Sequence, residues 1–259
     1  MPVDKGSEGG PPGTQSVARH TEEYRPGRLV EVLRPAGTQA APVVLLWHGS
    51  GPDERDALVP LAVAIATYGP VVLVPDWRSD DRHVGASELL ASIDFTTRTA
   101  ADLGGDPGRV VLAGWSLGAS AAADIALHPG IADGWHPTSV VGLGGGYDRT
   151  PFASQGADRD PMAGDVVGGA GRPALLVHGT SDNLIPLERS VCGTEVLAEA
   201  GWRVVLRQVA TDHAGVIGTE YDREMKRCVP SDDSDRLAAL ASVAREVARM
   251  ALGREAGPE

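Results

Sequence analysis

The sequence predicts an α/β domain built on a mostly parallel central sheet with helices on both faces and no large lid domain. Three observations lead there. Short apolar runs rich in Val and Leu alternate with segments of helical period from Leu29 onward, the pattern of successive βαβ units. Most of those runs are apolar throughout rather than at alternate residues, as expected of strands covered by helices on both faces. The 33 Gly and 19 Pro of the 259-residue chain supply the tight turns that such short elements need.

The strands read in order as Leu29 to Leu33, Val43 to Trp47, Val71 to Val74, Val110 to Ala113, Val140 to Leu143, Ala174 to Val177 and Arg203 to Val209. The first is interrupted by Glu31, which suggests an antiparallel edge strand. Between them the sequence predicts helices at Arg55 to Thr67, Ser87 to Asp102, Leu117 to Leu127 and Leu187 to Ala200, and after them one at Asp235 to Met250. The last is the most regular, since Leu237, Leu240, Ala244, Val247 and Ala251 form one apolar stripe. Ser231, Asp232 and Asp233 stand before it as N-cap candidates and as acids at the positive end of its dipole. Residues 1–20 read as a disordered leader with little to bury, which leaves 21–259 as a single domain.

Composition excludes some functions. The formal charge is −12, the reverse of what phosphate neutralisation requires, so no nucleic-acid partner is expected. No apolar run reaches membrane-span length and the start lacks a signal peptide's apolar stretch, so no membrane partner and a cytoplasmic location are expected. Cys192, in a helix, and Cys228, in a loop, read as free thiols, with a disulfide between them as the alternative. His48 and His178 both end apolar strands, yet no carboxylate or cysteine recurs at ligand spacing. Both read as structural, and no metal or cofactor is expected.

The chemistry concentrates at Val110-Val111-Leu112-Ala113-Gly114-Trp115-Ser116-Leu117-Gly118, where a strand runs through G-x-S-x-G into helix-forming residues. The pentapeptide alone is common, and the strand before it and helix after it are what give it weight. Such a turn exposes the serine hydroxyl at a helix N-terminus. A serine needs a base, and the base needs a group to fix its tautomer. Asp182 follows the Ala174 strand and His213 the Arg203 strand, which gives the chain order nucleophile, acid, histidine. Asp182 could instead merely cap an Asx-turn, and Asp148, after the Val140 strand, is a rival acid. Asp212 reads as pointing away. Oxyanion donors are expected from the Leu117 amide and from the His48-Gly49-Ser50-Gly51-Pro52 loop, with Ser50 ahead of Gly51. Trp77 and Arg78, after the Val71 strand, are expected to line the substrate cleft, with packing in the core or on the surface as the equal alternative; Tyr147 and Phe152 are similar pocket-wall candidates, and Arg78 alone suits an anionic group.

These segments resemble the α/β-hydrolase superfamily, and most of all its dienelactone-hydrolase and prolyl-oligopeptidase-like branch. The likeness rests on Asp106-Pro107-Gly108-Arg109-Val110 ahead of the serine turn, on His178-Gly179 followed by Asp182 and Pro186, and on Asp212-His213. It implies a catalytic set of Ser116, Asp182 and His213 and a small-molecule ester substrate, with no cofactor. Dienelactone hydrolase itself uses cysteine, so the serine points to esterase-like members. The interval from Tyr147 to Pro173 is too short and polar for a lipase lid, which suggests short-acyl or small polar esters. Amide hydrolysis, acyl transfer and ligand binding without turnover are the other readings of the same fold. Oligomeric state is not legible.

Overall fold

The computed structural model describes residues 16–51, 54–152 and 168–254. Eight strands form one sheet: β1 (Val17–Arg25), β2 (Arg28–Pro35), β3 (Ala41–Trp47), β4 (Val71–Pro75), β5 (Gly105–Trp115), β6 (Ser139–Leu143), β7 (Pro173–Gly179) and β8 (Arg203–Val209). Their spatial order is β1-β2-β4-β3-β5-β6-β7-β8. From β4 to β8 every pairing is parallel, while β1 and β2 are antiparallel additions at one end. The helices are α1 (Arg55–Ala66), α2 (Arg82–Thr99), α3 (Leu117–Leu127), α4 (Leu187–Glu199) and α5 (Ser234–Ala251).

Two apolar clusters, one on each face of the sheet, account for the continuous apolarity of β3 to β7. One packs Val43, Leu45, Leu112 and Leu176 against α2, α3 and α4, and the other packs Val44, Leu46, Val111 and Val177 against α1 and α5. Side chains of one strand alternate between faces, so a strand covered on both has no polar position to offer.

Four expectations are corrected. The sheet begins at Val17, so residues 17–20 belong to β1 and not to a leader; the rest of that expectation, residues 1–15, lies outside the described residues. β1 escaped notice because it is polar: Tyr24 is its one fully buried side chain, anchored by a 2.6 Å hydrogen bond to the Asp76 carbonyl. An edge strand needs few apolar residues, and charges along it discourage pairing with other chains. It follows that β2 is not the edge. Glu31 is buried there in an ion pair with Arg19 at 2.6 Å, with Arg55 at 3.6 Å from its other oxygen.

The second correction concerns α2, which starts at Arg82, five residues before the predicted Ser87, because Asp81 caps the amides of His83 and Val84. Third, residues after His213 form a hairpin, β9 (Thr219–Asp222) and β10 (Arg227–Pro230), which places Cys228 on a strand rather than in a loop. Cys192 lies on α4 as expected, and both thiols are free. Fourth, Leu237 of the predicted stripe is exposed on α5, where Val243 and Ala248 are buried instead. Asp233 is the N-cap, accepting from the amides of Asp235 and Arg236. The interval expected to carry no lid falls largely on residues 153–167, outside the described residues. No described helix is long and apolar enough to cross a membrane.

Candidate active site

At the carboxyl edge of the parallel strands, β5 turns sharply into α3 at Ser116, whose φ of 55° and ψ of −118° lie where L residues are strained. Such a conformation costs of the order of 1–3 kcal/mol and persists only when its surroundings impose it. Three contacts do so. The Ser116 amide donates to the Leu143 carbonyl at 2.8 Å. A Cβ on Gly114 would lie 2.2 Å from the Gly118 backbone, and one on Gly118 would lie 2.4 Å from the Trp47 carbonyl oxygen. The two glycines of the pentapeptide are therefore required by the closeness of the strand, the helix and the loop after β3.

His213, in the loop after β8, directs Nδ1 to Asp182 Oδ2 at 2.7 Å, with both side chains nearly inaccessible to solvent. The Asx-turn alternative for Asp182 holds at the same time, since its Oδ1 accepts from the amides of Leu184 and Ile185, each at 2.9 Å. Burial opposes the Asp182 charge and is the largest single influence, but the bonds from His213 and the two amides outweigh it and hold its pKa below the ordinary carboxylate value. Gly144, next to the residue that fixes Ser116, lies against this pair: a Cβ there would sit 3.1 Å from His213 Nδ1. The imidazole also lies against the Trp115 ring, centroids 5.2 Å apart, and the Trp115 indole N–H donates to the His213 carbonyl at 3.1 Å. Trp115 thus ties the histidine loop to the serine turn. Sequence reasoning passed over it, although an aromatic residue inside the pentapeptide was a signal. Among the described residues no hydrogen bond joins Ser116 Oγ to His213. In substrate-free sites that bond is often long and tightens only on binding.

The rival carboxylates have other partners. Asp148 is exposed and faces Arg189 at 3.3 Å. Asp212 is held by Arg236 at 2.6 Å and by the Gly215 amide, turned from the cleft as expected.

Ser116, Ser50 and Leu117 line one small cleft together with Asp148, Arg149 and Ile185. The Leu117 amide opens α3 and has no intrahelical acceptor. Gly51, the second donor candidate, has its amide bonded to Ser79 Oγ at 2.6 Å, which leaves Ser50 as the better one. A larger cavity of about 610 Å³ lies at the opposite end of the strands, lined by Ser139, Pro173 and Arg203 among others, and has no share in this chemistry.

Of the expected cleft residues, Trp77 and Tyr147 take the core-packing alternative and Arg78 the surface one. Trp77 is fully buried and stacks on His48 with centroids 5.3 Å apart. Tyr147 is buried in a slot whose walls are Gly142, Gly145 and Gly193. Strand-end position predicted exposure for both, but a large ring gains more by entering the core beneath its loop. Arg78 is held by Asp80 through two bonds of 2.6 Å, and its amide donates to Glu88. Arg149 and Ile185 line the cleft in their place. Arg149 adjoins the Gly-rich run after β6, and no apolar or motif pattern marked it.

His48 and His178 have the structural settings expected of them. His48 is fully buried; Nε2 accepts from the Trp77 amide at 3.2 Å and Nδ1 lies 2.9 Å from the Gly49 carbonyl, so the Nδ1–H tautomer satisfies both. Burial pushes its pKa down to about 4. His178 bridges Ser190 Oγ at 2.8 Å and the Ile185 carbonyl at 2.9 Å, bracing the loop that carries Asp182. No cluster of metal-ligating side chains occurs among the described residues.

This sheet order, with a strained serine between β5 and α3, is the α/β-hydrolase fold. The Thermogutta terrifontis esterase Est2 with butyrate bound superimposes with a TM-score of 0.69 at 17% identity, covering 93% of this chain and 96% of the other. An esterase of Pyrobaculum calidifontis superimposes with a TM-score of 0.65 at 18% identity, covering 91% and 85%. The Thermogutta terrifontis enzyme phosphorylated by paraoxon gives 0.67 at 17% identity, covering 93% and 96%. In sequence, the carboxylesterase NlhH of Mycobacterium tuberculosis is 29% identical over 140 residues, which is 49% of this chain. The match spans only 42% of that relative's length. No family model matches the chain.

Proposed function

We propose that the protein is a serine hydrolase that cleaves a carboxylic ester of a small molecule through an acyl-enzyme. The observation that carries this reading is the strained Ser116 turn lying across Leu143 and Gly144 from the His213–Asp182 pair. His213 takes the proton of Ser116 as Oγ attacks the carbonyl carbon, and the Ser50 and Leu117 amides receive the developing oxyanion. His213 then protonates the leaving alcohol and, in the second half, draws a proton from water that attacks the acyl carbon. Asp182 stays ionised throughout and stabilises the imidazolium. The esterases named above support ester over amide chemistry, and the small cleft supports short or polar acyl groups. That likeness to esterases also makes the dienelactone branch a matter of motif resemblance. Free thiols and an acidic composition support a cytoplasmic location, which cell fractionation tests.

The test is labelling with a fluorophosphonate probe and location of the adduct by peptide mass spectrometry. The expected result is an adduct on Ser116 that is absent from Ser116→Ala and strongly reduced in His213→Ala. A folded protein that takes no label would overturn the mechanism.

A further inference from the structure

The charged residues of the cleft do not cancel. Asp148 and Arg149 both line it beside Ser116, but the Asp148 carboxylate is already engaged by Arg189 at 3.3 Å. Arg149 is exposed and has no ion pair or side-chain hydrogen bond among the described residues. Among the described residues other arginines divide: Arg78 is taken up by Asp80, Arg28 by Glu88, Arg55 by Asp76 and Arg236 by Asp212, while Arg207, Arg223 and Arg245 lack such partners but do not line the cleft. What sets Arg149 apart is its place: it lines the cleft beside Ser116 and has no carboxylate partner among the described residues.

We infer that Arg149 receives an ionised carboxylate of the substrate, and that the preferred substrates are half-esters of short dicarboxylic acids or esters that carry a carboxylate at similar reach. This rests on the reading of Ser116 as nucleophile. A guanidinium offers parallel N–H donors that match the two oxygens of a carboxylate, giving orientation as well as attraction. The neighbouring Ile185 and Leu117 side chains suit a short methylene spacer between the two carbonyl carbons. Arg149, in the loop after β6, would then take the anion-binding role expected of Arg78 after β4. The chemistry is ordinary ester hydrolysis: water supplies OH to the acyl carbon and H to the alcohol, and the second carboxylate is unchanged.

The experiment compares kcat/KM for monoethyl glutarate and ethyl pentanoate, two esters of equal acyl length that differ in the terminal carboxylate. The wild-type protein is expected to favour the charged ester by about tenfold or more, as one charge-assisted hydrogen-bonding contact at a partly exposed site would give. Arg149→Gln should bring the ratio of the two kcat/KM values to about one, chiefly through loss on the charged ester, and Arg149→Glu should invert it. Rising ionic strength should shrink the wild-type preference. Equal kcat/KM for the two esters, or a preference that survives Arg149→Gln, would overturn the inference. Calorimetric binding of monoethyl glutarate to Ser116→Ala, with and without Arg149→Gln, reads the arginine independently of turnover. Binding that does not weaken on loss of Arg149 sinks the anion site. Ethyl pentanoate hydrolysis that survives Ser116→Ala sinks the nucleophile assignment instead.

Discussion

Replacing Gly118 by Ala tests whether the serine turn depends on backbone contact. The added Cβ would sit 2.4 Å from the Trp47 carbonyl oxygen, 2.5 Å from the His48 oxygen and 2.8 Å from the Trp47 carbonyl carbon. A carbon atom normally approaches a carbonyl oxygen no closer than roughly 3.3 Å, so the two segments must part by almost 1 Å. None of the obstructing atoms is a flexible side-chain end. Trp47 is the last residue of β3 paired to β5, opposite Gly114, and its side chain is fully buried with the indole N–H on Ser92. Relief must therefore come from the start of α3 or from the loop His48 to Ser50. Overpacking of this kind costs about 3 kcal/mol, the upper end of the usual range, because neither side is free to give. Displacing the Ser50 and Leu117 amides by nearly 1 Å should in addition slow acylation by about a hundredfold. Urea unfolding followed by tryptophan fluorescence measures the first effect and the rate of fluorophosphonate labelling the second. Gly130→Ala, with no atom in the way, is the control and should be neutral in both. A Gly118→Ala protein that labels Ser116 at the wild-type rate and unfolds at the wild-type midpoint would refute the argument.

Two further predictions concern the acids and the buried histidine. Asp182→Asn should lower turnover by about four orders of magnitude through the wrong His213 tautomer, whereas Asp148→Asn, which removes only an exposed ion pair, should stay within about tenfold; the reverse ranking in a steady-state ester assay would transfer the acid role. His48 should make stability depend on pH: between its ordinary value of 6.5 and its folded value of about 4, the unfolded chain binds a proton that the folded protein refuses. Its contribution is complete above pH 6.5 and declines as pH falls toward 4, by about 3 kcal/mol in all. Urea midpoints measured from pH 7 to 4.5 should therefore fall less steeply in His48→Gln than in wild type, although that variant is weaker at every pH; parallel slopes would contradict the account.

The sequence by itself determined the parallel half of the sheet, because a strand buried on both faces has no choice but to be apolar along its length. It also determined the order of Ser116, Asp182 and His213, and the need for glycine on both sides of the serine. These are properties of short segments, and short segments carry their own periodicity and turn chemistry. The tertiary structure alone decided three other matters. β1 acquires its place from pairing with β2 and from one buried tyrosine, and neither leaves an apolar pattern to read. Glu31 looked like the mark of an exposed edge but is buried, because Arg19 on β1 and Arg55 on α1 converge on it from elements distant in sequence. The cleft walls depended on which side chains were taken up elsewhere. Trp77 and Tyr147 sank into the core and Arg78 turned to Asp80, while Arg149 lines the cleft beside Ser116. Whether a charged or aromatic residue at a strand end faces substrate is set by the competition between that cleft and every other partner the fold brings within reach, and only the assembled chain resolves it.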